Sequence, residues 1–309
     1  MPNKIVLTTQ LIHDAAIQLR TVRDVIRFGV SFMNQAGVSF GQGTDHAWDE
    51  ASYLTLHTLH LPIDQLDPYL DATLLQQERQ DVLNVFAKRI NERLPAAYIT
   101  GEAWLQGYRF AVTPNTIIPR SPIAEILVAQ LYTWVTEPQD VKHVLDVCTG
   151  SGCLAILAAL VLPRAHIDAT DISSAALVVA QNNVDTYQLA NRITLHQGNL
   201  LEPLASNRLY DLILCNPPYV NDHSMQALPP EFNYEPALAL AGGADGMRLV
   251  GELLKQCANK LQKNGLLILE IGHERAHFEA AFPHLSPIWV DTMATTDQIM
   301  VLNAEQLQS

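Results

Sequence analysis

The sequence predicts an α/β protein in which a helical region precedes a doubly wound sheet. From about residue 141 onward, short apolar runs alternate with helical segments, and this order is typical of a sheet that carries helices on both faces. In the first third, apolar residues instead recur at three- and four-residue steps, which is the spacing of one helix face. At roughly 100–200 residues per domain, the 309-residue chain accommodates two domains.

The composition favours a globular protein that does not bind nucleic acid mainly through its charge. Hydrophobic residues make up 48% of the chain and charged residues 17%, so the chain can bury a sizeable core. The net charge is −13, whereas proteins that rely on phosphate contacts need a basic face. The charge is compatible with a small-molecule enzyme or with a basic protein partner.

The cysteine spacing and the apolar runs indicate a soluble cytoplasmic protein without a metal site. Cys148, Cys153, Cys215 and Cys257 form no CxxC pair and match no zinc pattern. We find no signal peptide at the N-terminus and no run of about 18 apolar residues that would span a membrane. The four thiols are therefore expected to be reduced and to be ordinary buried residues.

The first third predicts three helices. The apolar face from Leu11 to Met33 predicts one continuous helix, with Thr8 or Thr9 as its cap and Gly37 at its end. A second helix is predicted from Ala47 to about Leu59. A third is predicted from about Ala72 to Arg93, and its inward-facing residues are expected to be Leu75, Val82, Phe86 and Ile90.

A change in composition after Pro95 predicts the end of the helical domain, over residues 1–96. In EAWLQGYRFAVTPNTIIPRSP, aromatic and β-branched residues flank Thr113-Pro114-Asn115, which predicts a β-hairpin with its turn at that tripeptide. Pro119 and Pro122 stiffen the exit. The hairpin is predicted to link the domains over residues 97–124, and the α/β domain to occupy residues 125–309.

The α/β domain shows strands and helices in alternation. The chain ends in two strand-like segments, PIWVDT and DQIMVLN, and the short connection MATT between them cannot form a parallel crossover. These two strands are therefore predicted to pair antiparallel. The earlier strands are predicted at HVLDVC, AHIDATD, RITLHQG, YDLILCN and GLLILEIG, and the helices at CLAILAALVL, SSAALVVAQNNVDTYQ and from about Ala244 to Leu261.

A glycine loop follows the first of these strands, because VLDVCTGSGCLAI places Gly150 and Gly152 between a strand and a helix. Ligands of doubly wound sheets bind at the carboxyl ends of strands, where small residues let the backbone approach. The full GxGxxG dinucleotide fingerprint has a third glycine where this chain has Ala155, and Asp146 would repel a pyrophosphate. The pattern favours a cationic ligand such as S-adenosylmethionine, with an unliganded tight turn as the alternative. The candidate cofactor residues of this segment are Asp146, Cys148, Thr149, Gly150, Ser151 and Gly152.

Asp171 ends the next strand, about twenty residues beyond the glycines, and Ile172 follows it. A carboxylate at this point can accept the hydroxyl hydrogens of a ribose. The alternative is that Asp171 caps the next helix, a role that Ser173 can serve equally well. Asp168 alternates to the other face of the same strand and is the poorer candidate.

Asn216-Pro217-Pro218-Tyr219 directly follows the strand YDLILC and is the most specific motif of the chain. A planar NH₂ group is a poor nucleophile because its lone pair is delocalised. Two hydrogen-bond acceptors, one for each N–H, hold such a group and stabilise the positive charge that develops on nitrogen. The Asn216 side-chain oxygen and the Pro217 carbonyl can supply them on a loop that proline stiffens, and the Tyr219 ring can pack on a flat amide or base. A plain turn after a strand is the alternative.

Together these motifs resemble the class I S-adenosylmethionine-dependent methyltransferases, and NPPY narrows the resemblance to enzymes that methylate planar nitrogens. The segments IIPRSPIAEIL, NYEPALALAGGADG and ILEIG are similar to bacterial protein-glutamine methyltransferases over nearly the whole chain. One branch of that family modifies peptide-chain release factors and typically carries PRPDTE after the hairpin. This chain has PRSPIAE, ERLPAAYITGEAWLQG and a longer N-terminal region, which resemble the branch that modifies ribosomal protein L-three of the large subunit.

The resemblance also implies roles for particular residues. Gly150 and Gly152 would contact the cofactor, and Asp171 would hold its ribose. Asn199 and Leu200 would lie by the adenine, and Asn199 departs from the Asp that the family usually has there. The amide of the substrate glutamine would be held by Asn216 and Pro217. Catalytic roles are thus expected for Asn216, Pro217 and Tyr219, and further substrate contacts for Pro218 and for Glu235, whose alternative is a structural loop carboxylate.

The resemblance implies a seven-stranded mixed sheet with an antiparallel last strand, preceded by a helical domain that recognises the partner. It implies an enzyme that methylates a glutamine side-chain amide of ribosomal protein L-three, either free or in an assembling subunit, with S-adenosylmethionine as cofactor. We expect no metal, no direct DNA binding and no membrane association. The alternatives are the same reaction on release factors, a DNA adenine methyltransferase, and a catalytically silent S-adenosylmethionine-binding assembly factor.

Overall fold

The computed structural model describes residues 6–135 and 137–308, so the first five residues of the N-terminal stretch, in which we find no signal peptide, lie outside the described residues. The chain divides into two compact units. The helical unit comprises the described part of residues 1–102 together with Pro229–Tyr234. The sheet unit comprises Ala103–Leu228 and the chain from Glu235 onward. No helix within the described residues is both long enough and apolar enough to cross a membrane.

The first predicted helix is two helices, so the prediction of a continuous one is wrong. Leu19 has an extended backbone conformation and ends the first helix. The second starts with a capping box, in which the Thr21 hydroxyl accepts from the Asp24 N–H at 3.2 Å and the Asp24 carboxylate accepts from the Thr21 N–H at 2.9 Å. The helices of this unit are α1 (Thr9–Gln18), α2 (Val22–Gln35), α3 (Ala47–Thr58), α4 (Gln76–Ala87) and α5 (Ala96–Thr100).

The prediction for α3 is confirmed, whereas α4 begins later than predicted and continues in a π-helical turn at Lys88–Glu92. Leu75 precedes the helix and is 71% exposed, so its predicted inward position is wrong. The other three predicted core residues of this helix, Val82, Phe86 and Ile90, are buried as expected.

Buried charges hold the core of the helical unit. The Arg89 guanidinium donates to Glu50 at 2.5 Å and contacts Glu231 at 3.3 Å, and all three side chains are almost fully buried. Arg93 pairs with Glu231 at 2.9 Å. The Ser39 N–H donates to the same Glu231 carboxylate at 3.0 Å. These contacts make Pro229–Tyr234 part of the helical unit although it is distant in sequence.

The chain forms a hairpin of β1 (Glu102–Leu105) and β2 (Tyr108–Ala111), and the sheet unit begins at Ala103, the second residue of β1. Its turn lies at Gln106-Gly107, both of which have positive φ, so the predicted turn at Thr113-Pro114-Asn115 is wrong. A two-residue turn with positive φ at both positions matches the twist of paired strands. Thr113-Pro114-Asn115 instead forms a separate turn after β2, which the Thr116 N–H closes on the Thr113 carbonyl at 3.0 Å.

The remaining strands form a mixed sheet and a small parallel pair. Within the described residues the sheet has seven strands in the order β10-β11-β9-β6-β3-β4-β5. The five strands from β9 to β5 are parallel, and β11 is antiparallel to both of its neighbours, so the predicted antiparallel pairing at the chain end is confirmed. The strands are β3 (His143–Val147), β4 (His166–Asp171), β5 (Ile193–Gln197), β6 (Tyr210–Cys215), β7 (Val220–Asn221), β8 (Ala241–Gly243), β9 (Leu261–Glu270), β10 (Ile288–Val290) and β11 (Ile299–Asn303).

Helices cover both faces of the sheet, and alternate strand residues contribute to two apolar clusters. Val144 and Leu212 belong to the cluster that includes α8 (Cys153–Val161). Leu145 and Ile213 belong to the cluster that includes α11 (Arg248–Cys257). The helix predicted from Ala244 to Leu261 is shorter at both ends. The helices are α6 (Ile123–Glu125), α7 (Leu131–Trp134), α8 (Cys153–Val161), α9 (Ser174–Thr186), α10 (Asp222–Ala227), α11 (Arg248–Cys257), α12 (Arg275–Ala281) and α13 (Ala304–Gln308).

The buried charges of the helical unit predict a large effect of Arg89→Met. The substitution removes the guanidinium from two buried carboxylates, and breaking a buried pair from one side typically costs about 3–5 kcal/mol. We expect the free energy of unfolding in urea to fall by about that amount. Arg23→Met serves as control, because Arg23 pairs with Asp71 on the surface and its loss should matter far less. Equal losses in the two variants would contradict the stabilising role of the buried cluster.

Candidate active site

A cavity of about 340 Å³ lies where β3, β4 and β6 end, at the carboxyl edge of the sheet. Ligands of doubly wound sheets bind at this edge. Eight residues proposed from the sequence line it, namely Cys148, Gly150, Asp171, Ile172, Asn199, Leu200, Asn216 and Pro218. Outside this lining are Asp146, Thr149, Ser151, Gly152, Pro217, Tyr219 and Glu235.

Asp146 binds the glycine loop but does not line the cavity. Its side chain is 1% exposed, and one carboxylate oxygen accepts from the Thr149 hydroxyl at 2.5 Å and from the Ala155 N–H at 3.0 Å. Gly152 has a φ of +80° and lies so close to Ala180 that a Cβ there would approach the Ala180 Cβ to 3.2 Å. Glycine therefore meets both the backbone conformation and the spacing that this turn requires.

The environment of Asp146 favours its neutral form. Burial raises the pKa of this carboxyl from 3.8 to about 7, and the two hydrogen bonds oppose that rise only in part. Its other oxygen, Oδ1, has no hydrogen-bond partner within the described residues. Below about pH 7 the carboxyl therefore organises the loop in its neutral form.

Asp171 joins the glycine loop to the start of α9. Its two carboxylate oxygens accept separately from the Gly150 N–H and the Ser173 N–H, each at 2.9 Å. Ser173 caps α9 through its own hydroxyl, so the helix does not depend on Asp171 for its side-chain cap. Each carboxylate oxygen has two lone pairs, which leaves acceptor capacity toward the cavity.

Asn199 and Leu200 reach the cavity because the chain turns back beside Asp171, where the Gly198 N–H donates to the Asp171 carbonyl at 3.0 Å. The Asn199 amide nitrogen donates to Glu202 at 3.1 Å, which leaves the amide oxygen as an acceptor. Leu200 is buried and has a φ of +47°.

The NPPY loop presents Asn216 to the cavity at the end of β6. Within the described residues no hydrogen bond engages the Asn216 side chain. Pro217, the next residue, is buried and does not line the cavity. Beyond the motif, the Val220 N–H donates to the Leu240 carbonyl at 2.8 Å, and β7 pairs with β8. The segment NYEPALALAGGADG thus returns to pair with the exit of the NPPY loop.

Tyr219 does not line the cavity and packs among glycines. A Cβ on Gly242 or Gly246 would come within 3 Å of the Tyr219 backbone, and one on Gly272 would come within 2.4 Å of its ring. The Tyr219 hydroxyl donates to Glu270 at 2.8 Å. Burial and the Glu270 charge raise the pKa of Tyr219 well above its ordinary value, so this hydroxyl stays protonated.

Both carboxylate oxygens of Glu235 are engaged by Arg120, at 2.7 and 2.8 Å. The pair is bidentate and the Glu235 side chain is buried. This geometry matches the alternative of a structural loop carboxylate. Pro236, the next residue, does line the cavity.

Several residues of the site carry no signal in the sequence. Ile117, Leu238 and Leu249 line the cavity, yet an isolated apolar residue in a loop or a helix resembles any core residue. Cys148 also lines it and is half-buried, whereas the other three cysteines are buried as expected. Asn115 and Thr116 reach it through the turn that follows β2.

Comparison with known proteins shows the family. A family model described as "Methyltransferase small domain" matches residues 124–231. The ribosomal protein uL3 glutamine methyltransferase of Bordetella pertussis is 59% identical over 94% of this chain and 98% of its own length. The enzymes of that name from Burkholderia pseudomallei (49% identical, 93% of this chain and 96% of that one) and Neisseria meningitidis serogroup A (48%, 96% and 97%) also match. The chain belongs to the ribosomal protein uL3 glutamine methyltransferase family.

Membership in this family makes the chain a methyltransferase, and the sheet unit has the class I methyltransferase fold. The crystal structure of the hMettl16 catalytic domain in complex with MAT2A 3′UTR hairpin 1 has a TM-score of 0.51 and covers 82% of this chain and 91% of that chain. Its sequence identity is 16%, so the likeness concerns the fold alone. Class I methyltransferase domains use S-adenosylmethionine as methyl donor.

The raised pKa of Asp146 predicts a pH dependence of stability. From about pH 4 to 7 the folded protein keeps a proton that the unfolded chain has lost, so stability falls as the pH rises through the folded pKa of about 7. Asp146→Asn cannot ionise and should escape this fall. Between pH 5 and pH 8 we expect the free energy of unfolding of the variant, measured in urea, to rise relative to the wild type by about 3 kcal/mol.

Asn182→Ala is the control, because Asn182 lies exposed on α9 and its side chain does not ionise. The stability of this variant relative to the wild type should be independent of pH over the same range. A constant difference between the wild type and Asp146→Asn would contradict a proton bound at Asp146.

Proposed function

We propose that this chain transfers a methyl group from S-adenosylmethionine to the side-chain amide nitrogen of a glutamine in ribosomal protein L-three, which is uL3 in the names of its relatives. The observation that supports this most is the free amide of Asn216, which lines the cavity at the end of β6. The chain that carries Asn216 is 59% identical to the uL3 glutamine methyltransferase of Bordetella pertussis.

The amide acceptors are the Asn216 side-chain oxygen and the Pro217 carbonyl. Each accepts one N–H of the substrate glutamine, which holds the nitrogen in line with the methyl carbon and stabilises the positive charge that develops on it. S-adenosylmethionine supplies an electrophilic methyl group on a sulfonium. It would supply the methyl carbon to which this nitrogen bonds, and the electron pair of the C–S bond would leave with the sulfur.

The remaining step is loss of a proton from the methylated amide. Tyr219 cannot accept it, because its hydroxyl stays protonated and donates to Glu270. Glu235 is held by Arg120 with both oxygens. A cationic amide is acidic enough to lose its proton to water, so no dedicated base is required.

The cavity fits S-adenosylmethionine through the donors and acceptors that line it. The oriented carboxylate of Asp171 would accept the ribose hydroxyls, and the backbone at Cys148 and Gly150 would lie against the amino-acid part. The free oxygen of Asn199 would accept from the adenine amino group, with Ile172 and Leu200 against the base. The shape of the glycine loop also depends on four residues that do not line the cavity, namely Asp146, Thr149, Ser151 and Gly152.

We assign recognition of the protein partner to the helical unit and place the enzyme in the cytoplasm, where ribosomal proteins are made and assembled. The partner is free ribosomal protein L-three or an assembling large subunit. The net charge of −13 suits a basic protein partner rather than DNA.

The experiment is a methyl-transfer assay with labelled S-adenosylmethionine. Undermethylated ribosomal proteins, large-subunit precursors, release factors and DNA are offered side by side, and mass spectrometry locates the label. Label on a glutamine of ribosomal protein L-three supports the proposal. Label on release factors or DNA would show that the proposed substrate is wrong. Cofactor binding without label on any of these acceptors would show that the proposed enzymatic function is wrong.

Asn216→Ala should leave the cofactor affinity measured by calorimetry nearly unchanged and reduce turnover by about 100-fold or more. The reason is the loss of one of two acceptors that act mainly on the developing charge. Asn191→Ala, in an exposed loop outside the cavity, is the control and should keep wild-type turnover. Wild-type turnover in Asn216→Ala would show that the NPPY loop does not bind the reacting amide.

A further inference from the structure

Glu270 is a buried carboxylate that the proposed reaction does not use. It ends β9 and is 4% exposed. Its two oxygens accept from different loops, one from the Ser121 hydroxyl at 2.5 Å and the other from the Tyr219 hydroxyl at 2.8 Å. Ser121 belongs to the segment IIPRSPIAEIL and Glu270 to ILEIG, so these contacts join two distant segments of the sequence.

Burying the Glu270 carboxyl costs desolvation free energy, which an apolar residue at this position would not lose. Burial raises the pKa of the Glu270 carboxyl, and the Ser121 and Tyr219 hydrogen bonds and the Arg120 charge oppose the rise. A carboxylate can accept from two hydroxyls at once, which a leucine cannot do. Hydrogen bonds to a charged acceptor are also stronger than neutral ones.

The sheet register places Glu270 beside the NPPY loop. Cys215 of β6 pairs with Leu269 of β9, so Asn216 and Glu270 are the next residues on two adjacent parallel strands. The loop leaves β6 at Asn216 and is bound again at Tyr219, three residues later. Between these two points lies Pro217, whose carbonyl is the second proposed amide acceptor.

The surroundings of Tyr219 leave its ring little freedom. Gly246 lies against its backbone and Gly272 against its ring, at distances that exclude any side chain. The hydroxyl bond to Glu270 then fixes the far end of the ring. Movement of that ring would move the backbone of the NPPY loop with it.

We propose that Glu270 is a positioning residue for methyl transfer: Ser121 orients its carboxylate, and the carboxylate binds Tyr219 so that Asn216 and Pro217 stay in place for the substrate amide. This inference deepens the proposed function and rests on the NPPY loop binding the amide. Glu270 does not line the cavity, and it acts through Tyr219 rather than on the cofactor.

The test is a double-mutant cycle of Glu270→Gln and Tyr219→Phe, with kcat, KM for the protein substrate and cofactor affinity measured for each variant. Each single change should lower kcat by about tenfold or more, because Tyr219→Phe removes the hydrogen bond and Glu270→Gln replaces its charged acceptor by a neutral amide oxygen. Cofactor affinity should stay within twofold of the wild type. The loss in the double variant should be smaller than the product of the two single losses, because both changes alter the same contact between Tyr219 and Glu270.

Glu125→Gln is the matched control. Glu125 is also a buried carboxylate of the sheet unit and accepts from the Met293 N–H at 2.9 Å, but it does not line the cavity. It should keep wild-type kcat even if its thermal stability falls. Losses of the two single variants that multiply in the double variant, or an unchanged kcat in Glu270→Gln, would overturn the positioning role.

Hydrogen exchange separates this inference from the proposed function, because it needs no methyl acceptor. The amides of Tyr219 and Val220 should exchange faster in Glu270→Gln and Tyr219→Phe than in the wild type or Glu125→Gln. Unchanged exchange would overturn the positioning role even if the wild type methylates ribosomal protein L-three. Faster exchange in a protein that labels no substrate would retain the structural link and overturn the proposed function instead.

Discussion

Carboxylates at the carboxyl edge of the sheet hold the loops of the site by accepting hydrogen bonds from them. Asp146 of β3 binds the glycine loop, Asp171 of β4 joins that loop to α9, and Glu270 of β9 joins the NPPY loop to Ser121. Each group gives up hydration to do so, and burial raises the pKa of all three carboxyls. The donors that they bind in return are backbone N–H groups and hydroxyls that would otherwise lack partners.

This arrangement depends on the parallel pairing of the strands. Val144 to Val147 pair with β6 on one side and with β4 on the other, so the three strands end at one level. Apolar residues on both faces fix that register, because a slip by one residue would exchange the two faces. The positions of the polar groups therefore follow from the packing of the core beneath them.

The sequence predicted the parts of this site that depend on local pattern. Asp171 ends one apolar strand and Asn216 follows another, and ligands of doubly wound sheets bind at the carboxyl ends of strands, so the sequence assigns both residues to the site. Asp171 and Asn216 both line the cavity. The break between α1 and α2 was missed because the apolar period continues across it, whereas the capping box at Thr21 decides the structure. The hairpin turn was misplaced because Pro114 is a stronger turn signal than Gln106.

Long-range pairs could not be predicted. Glu231 lies 142 residues from Arg89, and Ser121 lies 149 residues from Glu270. A single buried carboxylate has no period and no flanking signature, and its partner is known only once the chain is folded. The same holds for Glu235, whose sequence context suggested a substrate pocket and whose oxygens are bound by Arg120.

The most direct test is a crystal structure of the chain with S-adenosylhomocysteine and a glutamine-containing segment of ribosomal protein L-three. We expect the glutamine amide nitrogen to lie at hydrogen-bond distance, about 2.7–3.2 Å, from both the Asn216 side-chain oxygen and the Pro217 carbonyl. We also expect this nitrogen to face the sulfur of the bound product. A glutamine amide bound away from these two oxygens, with Asn216 turned to another partner, would show that the NPPY loop does not hold the reacting amide.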